Sequence, residues 1–284
     1  MNETGAPRVV VGDPIASLAR DWDFDRYAST LFAPAAARPH LLALYAFDAE
    51  LARVRGLVRD PMVGELRLQW WRDALNDPER ADAVAHPVAR ALEAAARYGR
   101  LPRQALLDLV DARTDDLYDD PIASSGELEG RLGATSSAVL RLASLICAAG
   151  VDPGGAEAAG YAGVARGIVR LLRRLPRSNA LLPVDRMAAL GVVREDFFQT
   201  RATPELGSLT AELRDLARQR LREARAAARA LDPVAAPAFL PIAVLEGDLK
   251  RLDRAPSPLA PPPEPARWRR LLRLWRASRR APPF

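Results

Sequence analysis

Metal-binding and redox-active residues are scarce in this sequence, which has one cysteine and two histidines among its 284 residues. A single cysteine excludes an internal disulfide and a cysteine-rich zinc site, and two isolated histidines cannot form a histidine-rich metal site. Because Cys147 lies among apolar residues in the segment LASLICAAG, we expect a buried and unreactive thiol.

Long apolar runs and alternating apolar–polar stretches are also missing. The longest apolar run, near residues 235–245, is interrupted by prolines and is too short to cross a bilayer. The N-terminal residues match neither a signal peptide nor a transit peptide, so we expect a cytoplasmic protein with at most a peripheral membrane contact. Alanine, leucine and arginine dominate and β-branched runs are few, which predicts an all-α fold.

Positive charge is concentrated at the C-terminal end. The formal net charge is +5, and residues 265–284 hold seven arginines and no acid, so the rest of the chain carries a net charge of −2. The positive net charge of the sequence therefore comes from residues 265–284 and not from the rest of the chain. Because the body shows no basic face and no nucleic-acid-binding module, we expect no nucleic-acid partner.

Prolines and shifts in composition divide the chain into four expected segments. Residues 1–16 are expected to be flexible, and residues 17–254 to form one helical domain. A proline-rich, extended linker at 255–266 follows. Residues 267–284 predict a basic amphipathic helix.

The apolar residues of this last segment recur at i, i+3, i+4 and i+7, and they are Trp268, Leu271, Leu272 and Trp275. Arginines cover the rest of the predicted helix. This pattern is typical of a helix that lies on an anionic membrane at the inner face of the cytoplasmic membrane, with these residues in contact with lipid. A last helix that docks on the body of the protein fits the pattern equally well.

Residues 41–56, LLALYAFDAELARVRG, place apolar side chains at helical spacing and predict a core-facing helix. No two of its carboxylates are four residues apart, so it offers no pair that could share a divalent metal. Tyr45, Phe47 and Glu50 are candidates for lining a cavity. In the next predicted helix, the adjacent Trp70 and Trp71 point about 100° apart, so core packing explains at least one of them.

A second helix, predicted within residues 163–183, carries no acid, and its arginines are Arg166, Arg170, Arg173, Arg174 and Arg177. A row of guanidinium groups is repulsive unless something anionic faces it, and arginine binds carboxylates and phosphates bidentately. The last four of these arginines are therefore candidates for binding an anion or a lipid head group. Pairing with the aspartates of residues 108–120, or a solvated face, are the alternatives.

Those aspartates form an acidic cluster on a predicted helix within residues 104–120. Asp111, Asp115 and Asp119 lie on about one face, and Asp116 lies beside them. Oxygen ligands at this spacing could hold Mg²⁺ with a phosphate as co-ligand. The alternative is a solvated acidic face, or one that pairs with arginines.

Four segments together resemble the squalene/phytoene synthase family: DRYASTLFAP at 25–34, YAFDAELARVRG at 45–56, GELRLQWWRDAL at 64–75, and GVARGIVRLLRRLP with the following LLP at 163–183. Their order and spacing cover nearly all of residues 20–250. The resemblance implies the isoprenoid synthase fold, a helical bundle around a central cavity. It also implies head-to-head condensation of two prenyl diphosphates, with Mg²⁺ held by aspartates on two facing helices.

The positions of the first metal-binding motif of this family hold other residues here. By the resemblance, its aspartates fall on Ala52, Arg53 and Gly56, and an arginine that precedes them falls on Ala49. Tyr45 keeps the family's tyrosine. The departure of a diphosphate needs cations to neutralise the charge that develops, so the missing carboxylates matter for the reaction.

The second motif is altered in the same way. Its glutamine and asparagine fall on Gly167 and Arg170, and its two acids fall on Arg174 and Ser178, while Arg173 is kept. Arginines in place of metal ligands would repel Mg²⁺. The resemblance therefore leads us to expect no bound metal and no other cofactor.

Within the family, the segments are more similar to a divergent branch that includes a mitochondrial assembly factor for respiratory complex I. We therefore expect a non-catalytic assembly factor, or a lipid- or isoprenoid-binding protein, whose partners are complex I subunits or an isoprenoid ligand. The alternative is an active prenyl-diphosphate transferase that uses Mg²⁺ with other acids, of which Asp115, Asp116 and Asp119 are the best candidates beside Glu50. A helical bundle that binds proteins and no ligand is a third possibility.

Overall fold

The computed structural model describes residues 13–118, 120–175, 182–198, 202–260 and 262–284. Within these ranges the chain is helical and contains no strand, which confirms the all-α prediction. The helices α1 to α8 are Pro14–Trp22, Phe24–Ser29, Arg38–Leu57, Pro61–Asn76, Ala81–Ala85, Pro87–Tyr98, Arg103–Asp111 and Ser125–Leu132. The helices α9 to α16 are Ala138–Cys147, Ala156–Arg173, Val184–Leu190, Glu195–Phe198, Pro204–Ala227, Ala236–Phe239, Leu245–Asp253 and Arg267–Ala277.

A polar residue followed by proline starts several of these helices. Asp60 and Thr203 precede prolines, and each side-chain oxygen accepts a hydrogen bond from a backbone N–H of the first turn. Proline suits this position because its fixed φ is helical and no N–H is needed there. Asp13 and Pro14 start α1 in the same way, so residues 14–16, which we expected to be flexible, are helical.

The interior is built around α3 and α10. The helix α3 packs against α1, α6 and α9, and α10 packs against α8, α9, α13 and α15. Most side chains of α10 are buried, so this helix runs through the core of the protein. Cys147 at the end of α9 is buried as expected, and burial raises the pKa of its thiol to about 12.

A π-helical turn, Gly133–Ser137, lies against the first half of α10 at very short range. The Ser137 hydroxyl donates a hydrogen bond of 2.8 Å to the carbonyl oxygen of Gly160. A Cβ atom placed on Gly163 would lie 2.3 Å from the Cα atom of Ser137. Glycine at this position is therefore what lets the two backbones touch.

The C-terminal helix α16 docks on the body, and it does so through a face that the sequence did not predict. Arg270 is only 3% exposed, and Leu274 and Ala277 are buried with it. Of the predicted apolar face, Trp268, Leu271 and Trp275 are exposed and Leu272 is partly buried. In the linker, Leu259 is buried, so the described part of this segment also contacts the body.

Candidate functional site

Two polar pockets lie side by side between α1, α2 and α10, and both are lined by Trp22, Arg170 and Arg174. We call them the inner pocket, of about 160 Å³, and the outer pocket, of about 400 Å³. The guanidinium groups of Arg170 and Arg174 stack on Trp22, at 5.5 and 5.0 Å from its ring centre. Trp22 therefore holds two of the arginines between the pockets.

The inner pocket brings the two degenerate motifs together. Ala52 of α3 and Gly167 of α10 both line it. Its charged walls are one aspartate and four arginines, namely Asp48, Arg26, Arg113, Arg170 and Arg174. The pocket is thus strongly cationic where the resemblance implies that a family enzyme would hold metal ions.

Asp48, the one carboxylate among the described residues that line the inner pocket, is paired with two arginines. Asp48 accepts hydrogen bonds of 2.6 Å from Arg26 and 2.8 Å from Arg113, one on each of its oxygens. Burial pushes the pKa of Asp48 up, but the charges of Arg26 and Arg113 outweigh burial and hold this pKa below its usual value. Asp48 therefore stays ionised, with each of its oxygens accepting a hydrogen bond from a guanidinium group.

Asp23 is the counter-ion of the arginines on α10. Its carboxylate accepts hydrogen bonds of 2.6 and 2.8 Å from Arg166 and one of 3.1 Å from Arg170. Burial disfavours the charge on Asp23, yet these arginines, together with Arg26, hold its pKa well below the usual range. The carboxylate of Asp23 is thus shared by the guanidinium groups of Arg26, Arg166 and Arg170, which leaves an excess of positive charge around it.

Burial and the neighbouring positive charges both act on Arg170. Burial, assisted by the charges of Arg166 and Arg26, lowers the pKa of Arg170 to about 9, although Asp23 opposes the shift. An additional anion in the inner or outer pocket would relieve this repulsion.

The outer pocket is closed on one side by α16 and the segment before it. Arg270 donates a hydrogen bond of 2.7 Å to Asp25 and one of 3.1 Å to Asp248. Arg173 donates to Asp248 and, at 2.5 Å, to Glu264. Burial raises the pKa of Asp25 to about 6, against the opposing charge of Arg270. The C-terminal segment is thus tied to the pocket by ion pairs.

Three of the predicted arginines line the two pockets, and within the described residues they do not take the alternative of pairing with the aspartates of residues 108–120. Arg170 and Arg174 line both pockets and Arg173 lines the outer one, whereas Arg177 lies outside the described residues, as does Ser178. The acids that face them are Asp23, Asp248 and Glu264, and none of these belongs to residues 108–120.

None of the described acids of the acidic cluster lines either pocket, and two of them are paired with arginines. Asp111 pairs with Arg72 at 2.6 Å, and Asp116 pairs with Arg113 at 3.2 Å. Asp115 is exposed, and Asp119 lies outside the described residues. Among the residues that the structure describes, no three acids, histidines or cysteines are grouped so that they could hold a metal ion. The residues around the inner pocket therefore do not fit Mg²⁺.

The three cavity candidates lie in different surroundings. Tyr45 is buried beneath the guanidinium of Arg26, 5.5 Å from its ring centre. Phe47 is fully buried in the core, and its ring meets that of Trp71 edge to face at 5.0 Å. Glu50 instead lines a surface pocket. Of the remaining motif positions, Ala49 is fully buried, Arg53 is partly buried and Gly56 is exposed.

Comparisons with known proteins agree with this fold. The squalene/phytoene synthase family model matches residues 19–276. The human and bovine proteins named NADH dehydrogenase (ubiquinone) complex I, assembly factor 6, are 32% and 31% identical over 242 residues, which is 84% of this chain and 72% of each relative.

Two solved structures with the same fold are named as synthases. The squalene synthase HpnC from Alicyclobacillus acidocaldarius has a TM-score of 0.71 and 22% identity, and covers 84% of this chain and 92% of its own. A dehydrosqualene synthase in complex with ligand has a TM-score of 0.74 and 16% identity, with 92% and 93% covered. The predicted isoprenoid synthase architecture is confirmed, and the chain belongs to the squalene/phytoene synthase family.

Proposed function

We propose that this protein is a non-catalytic assembly factor for respiratory complex I. One observation carries the proposal: Ala52 and Gly167, where the resemblance puts the two metal-binding motifs, line a pocket whose described charged residues are four arginines and one aspartate paired with two of them. The names of the human and bovine relatives support the assembly role.

The charge of the inner pocket argues against prenyl transfer. The departure of a diphosphate is assisted by metal ions that neutralise the developing charge, and these need oxygen ligands. Among the described residues that line the pocket, Asp48 is the only carboxylate, and it pairs with two guanidinium groups. The acidic cluster does not support the alternative, an active transferase, because Asp111 and Asp116 pair with Arg72 and Arg113 and neither acid is among the described residues that line the inner pocket.

We further propose that the inner pocket binds the phosphate group of a lipid or isoprenoid. Arginine recognises phosphate oxygens through paired hydrogen bonds, and no protein anion balances Arg174 within the described residues. Three buried donors that belong to lining residues also have no hydrogen-bond partner in the described part of the chain: Trp22 Nε1, Arg113 Nε and Ser136 Oγ. A phosphate would supply acceptors for such groups.

A complementation experiment tests the proposal. In a strain that lacks the gene, membrane NADH:quinone activity should fall, and the wild-type gene should restore it. The double variant Arg170→Glu, Arg174→Glu should fail to restore it, because each lost charge-assisted contact weakens phosphate binding by about tenfold or more. The exposed Arg90 and Arg229, changed together to glutamate, provide the matched control and should restore activity.

Two outcomes of this experiment would contradict the proposal. Full activity in the deletion strain would rule out the assembly role. Full rescue by the double variant would rule out phosphate binding in the inner pocket as a requirement for that role. The purified protein, given Mg²⁺ and farnesyl or geranylgeranyl diphosphate, should release no pyrophosphate above the blank. Mg²⁺-dependent release would establish the transferase instead.

The exposed face of α16 supports a peripheral position on an anionic membrane. None of the described helices is long and apolar enough to span a bilayer. Trp268, Leu271 and Trp275 are exposed together on α16, with Arg269 and Arg276 also exposed on the helix. Tryptophan rings with flanking arginines favour the interface of a membrane that carries anionic lipid.

Changing both tryptophans of α16 to serine should reduce co-sedimentation with anionic liposomes about tenfold or more, because two large apolar groups leave the interface. The helix should remain docked, since Arg270, Leu274 and Ala277 on its inner face are untouched. Val151→Ser with Val193→Ser, two exposed apolar residues elsewhere, is the control. Equal sedimentation of all three proteins would rule out this membrane contact.

A further inference from the structure

A further polar pocket, of about 320 Å³, lies between α15, the start of α16 and the segment before α16. We call it the α16 pocket. It adjoins the outer pocket, with which it shares Glu264 and Arg270, and none of its described lining residues belongs to the inner pocket. Its charged walls are four arginines and one glutamate, namely Arg251, Arg269, Arg270, Arg273 and Glu264.

The acids at the α16 pocket are paired with arginines. The carboxylate of Glu264 accepts a hydrogen bond of 2.5 Å from Arg173. Asp248, which is buried behind the pocket, accepts hydrogen bonds from Arg270 at 3.1 Å and from Arg251. The negative charge beside the pocket is therefore already engaged by arginines of the chain.

Two of the lining arginines, Arg269 and Arg273, have no carboxylate partner in the part of the chain that the structure describes. The guanidinium of Arg269 lies over the ring of Trp268, 5.1 Å from its centre. The guanidinium of Arg273 lies against Gly247 of α15, where the Cβ atom of any other residue would collide with it. Both groups are thus held near the pocket with donors available for a ligand.

Positive charge is in excess in the α16 pocket. Burial, assisted by the charges of Arg270 and Arg273, lowers the pKa of Arg251 although Asp248 opposes the shift. Arg270 is only 3% exposed, and its Nε–H has no hydrogen-bond partner among the described residues. A buried donor without a partner is costly, and an anionic ligand would supply the acceptor.

The first turn of α16 adds to the attraction of an anion. Within the described residues no side chain caps this helix of 11 residues, and its first turn contains no acid. Ala266, the residue before the helix, lines the pocket. The start of a helix offers unpaired N–H groups and the positive end of the helix dipole, so it favours an anion beside it.

The α16 pocket lies next to the exposed apolar face of the same helix. Going around the helix, Arg273 and Arg269 come between the buried Arg270 and Trp268, which is 63% exposed. A lipid that contacts Trp268 can therefore place its head group among these arginines. This arrangement favours a membrane lipid over a soluble anion as the ligand.

We propose that the α16 pocket binds the phosphate monoester head group of a membrane lipid. Such a group carries a charge of about −1.5 to −2 and three acceptor oxygens, which is the number that Arg269, Arg273 and the Nε–H of Arg270 can engage. A phosphodiester or a carboxylate offers only two such oxygens. The inference extends the proposed membrane contact of α16, on which it rests, by naming the class of lipid.

Co-sedimentation of the full-length protein with two kinds of phosphatidylcholine vesicle tests the head group. One kind contains phosphatidic acid, a lipid phosphate monoester, and the other contains enough phosphatidylserine to give the same zeta potential. The wild-type protein should bind the phosphatidic acid vesicles about tenfold more tightly or better. Glycerol 3-phosphate has the same phosphate group without acyl chains, so it should compete only at about a hundredfold higher concentration than the lipid.

Two matched double variants locate the site. Arg269→Gln with Arg273→Gln removes two charges from the pocket and should abolish the preference for phosphatidic acid. Arg276→Gln with Arg280→Gln removes two charges from the same C-terminal segment outside the pocket and should keep the preference. All four arginines are exposed, so the helix should stay docked, and both double variants should weaken the general attraction to anionic vesicles equally.

Several results would overturn the inference. They are equal binding of the wild-type protein to the two kinds of vesicle, a preference for phosphatidic acid that survives in the pocket variant, and an equal loss of this preference in both variants. Competition by glycerol 3-phosphate at the concentration of the lipid would assign the pocket to a soluble phosphate ester. Absence of binding to both kinds of vesicle would contradict the membrane contact of α16 itself, whereas equal binding to both contradicts the head-group pocket alone.

Discussion

Replacement of Asp23 by asparagine should lower the free energy of unfolding by about 3–5 kcal/mol, the range for breaking a buried ion pair. Asp23 is buried, and its carboxylate accepts hydrogen bonds from Arg166 and Arg170. Asparagine has the same size and can still cap α2, where Asp23 now accepts from the backbone N–H of Arg26 at 3.1 Å. The decrease in the free energy of unfolding would therefore report the loss of the carboxylate charge.

Urea denaturation followed by circular dichroism measures this loss. Asp60→Asn is the matched control, because Asp60 is an exposed cap of α4 and asparagine caps a helix equally well. It should change the free energy of unfolding by less than about 0.5 kcal/mol. Adding Arg166→Met to Asp23→Asn should recover part of the stability, since it removes a buried charge that has lost its partner. Equal effects of the two asparagine variants would contradict the role of the network.

The ion pairs of the site connect parts of the chain that are far apart in sequence. Asp23, between α1 and α2, holds Arg166 of α10, and Asp25 holds Arg270 of α16. Asp48 of α3 holds Arg26 of α2. Carboxylates and guanidinium groups thus neutralise one another inside the bundle, and the described residues leave no set of oxygen ligands for a cation. The same network supplies the excess arginines that we propose bind a phosphate.

The fold and the arginines of the site could be predicted from the sequence, whereas the acid that pairs with those arginines could not. Helix starts such as Asp60 with Pro61 are local signals, and the motif segments determine the family, so both could be recognised without coordinates. The arginines of α10 could also be recognised, because they share one helix face. Their partner Asp23 could not, because it lies 143 residues from Arg166 and helical periodicity carries no information at that distance.

The helix α16 shows why an apolar stripe does not always identify the docked face. Trp268 and Trp275 gave the strongest apolar signal, yet Arg270 is the side chain that enters the core. It does so because Asp25 and Asp248 meet its guanidinium there, so burial costs no unpaired charge. A periodicity argument treats arginine as a solvent-facing residue and misses this arrangement.

Replacement of Gly163 by alanine should lower the free energy of unfolding by about 3 kcal/mol, the upper part of the range for overpacking. The new Cβ atom would lie 2.3 Å from the Cα atom and 2.5 Å from the backbone nitrogen of Ser137. These are backbone atoms, so no side-chain rotation relieves the contact, and α10 must move away from the π-helical turn. That turn carries Ser136, which lines the inner pocket, so the pocket should change shape as well.

Replacement of Gly160, on the same helix, should have the opposite effect on the free energy of unfolding. A Cβ atom there would meet no atom within 4 Å, so Gly160→Ala should raise the free energy of unfolding by up to about 1 kcal/mol through helix propensity and chain entropy. Thermal and urea unfolding of the two single variants give the comparison directly. Effects of the same sign would show that the contact between α10 and the turn at Ser137 is not what requires glycine. Opposite signs would establish that backbone contact as the constraint.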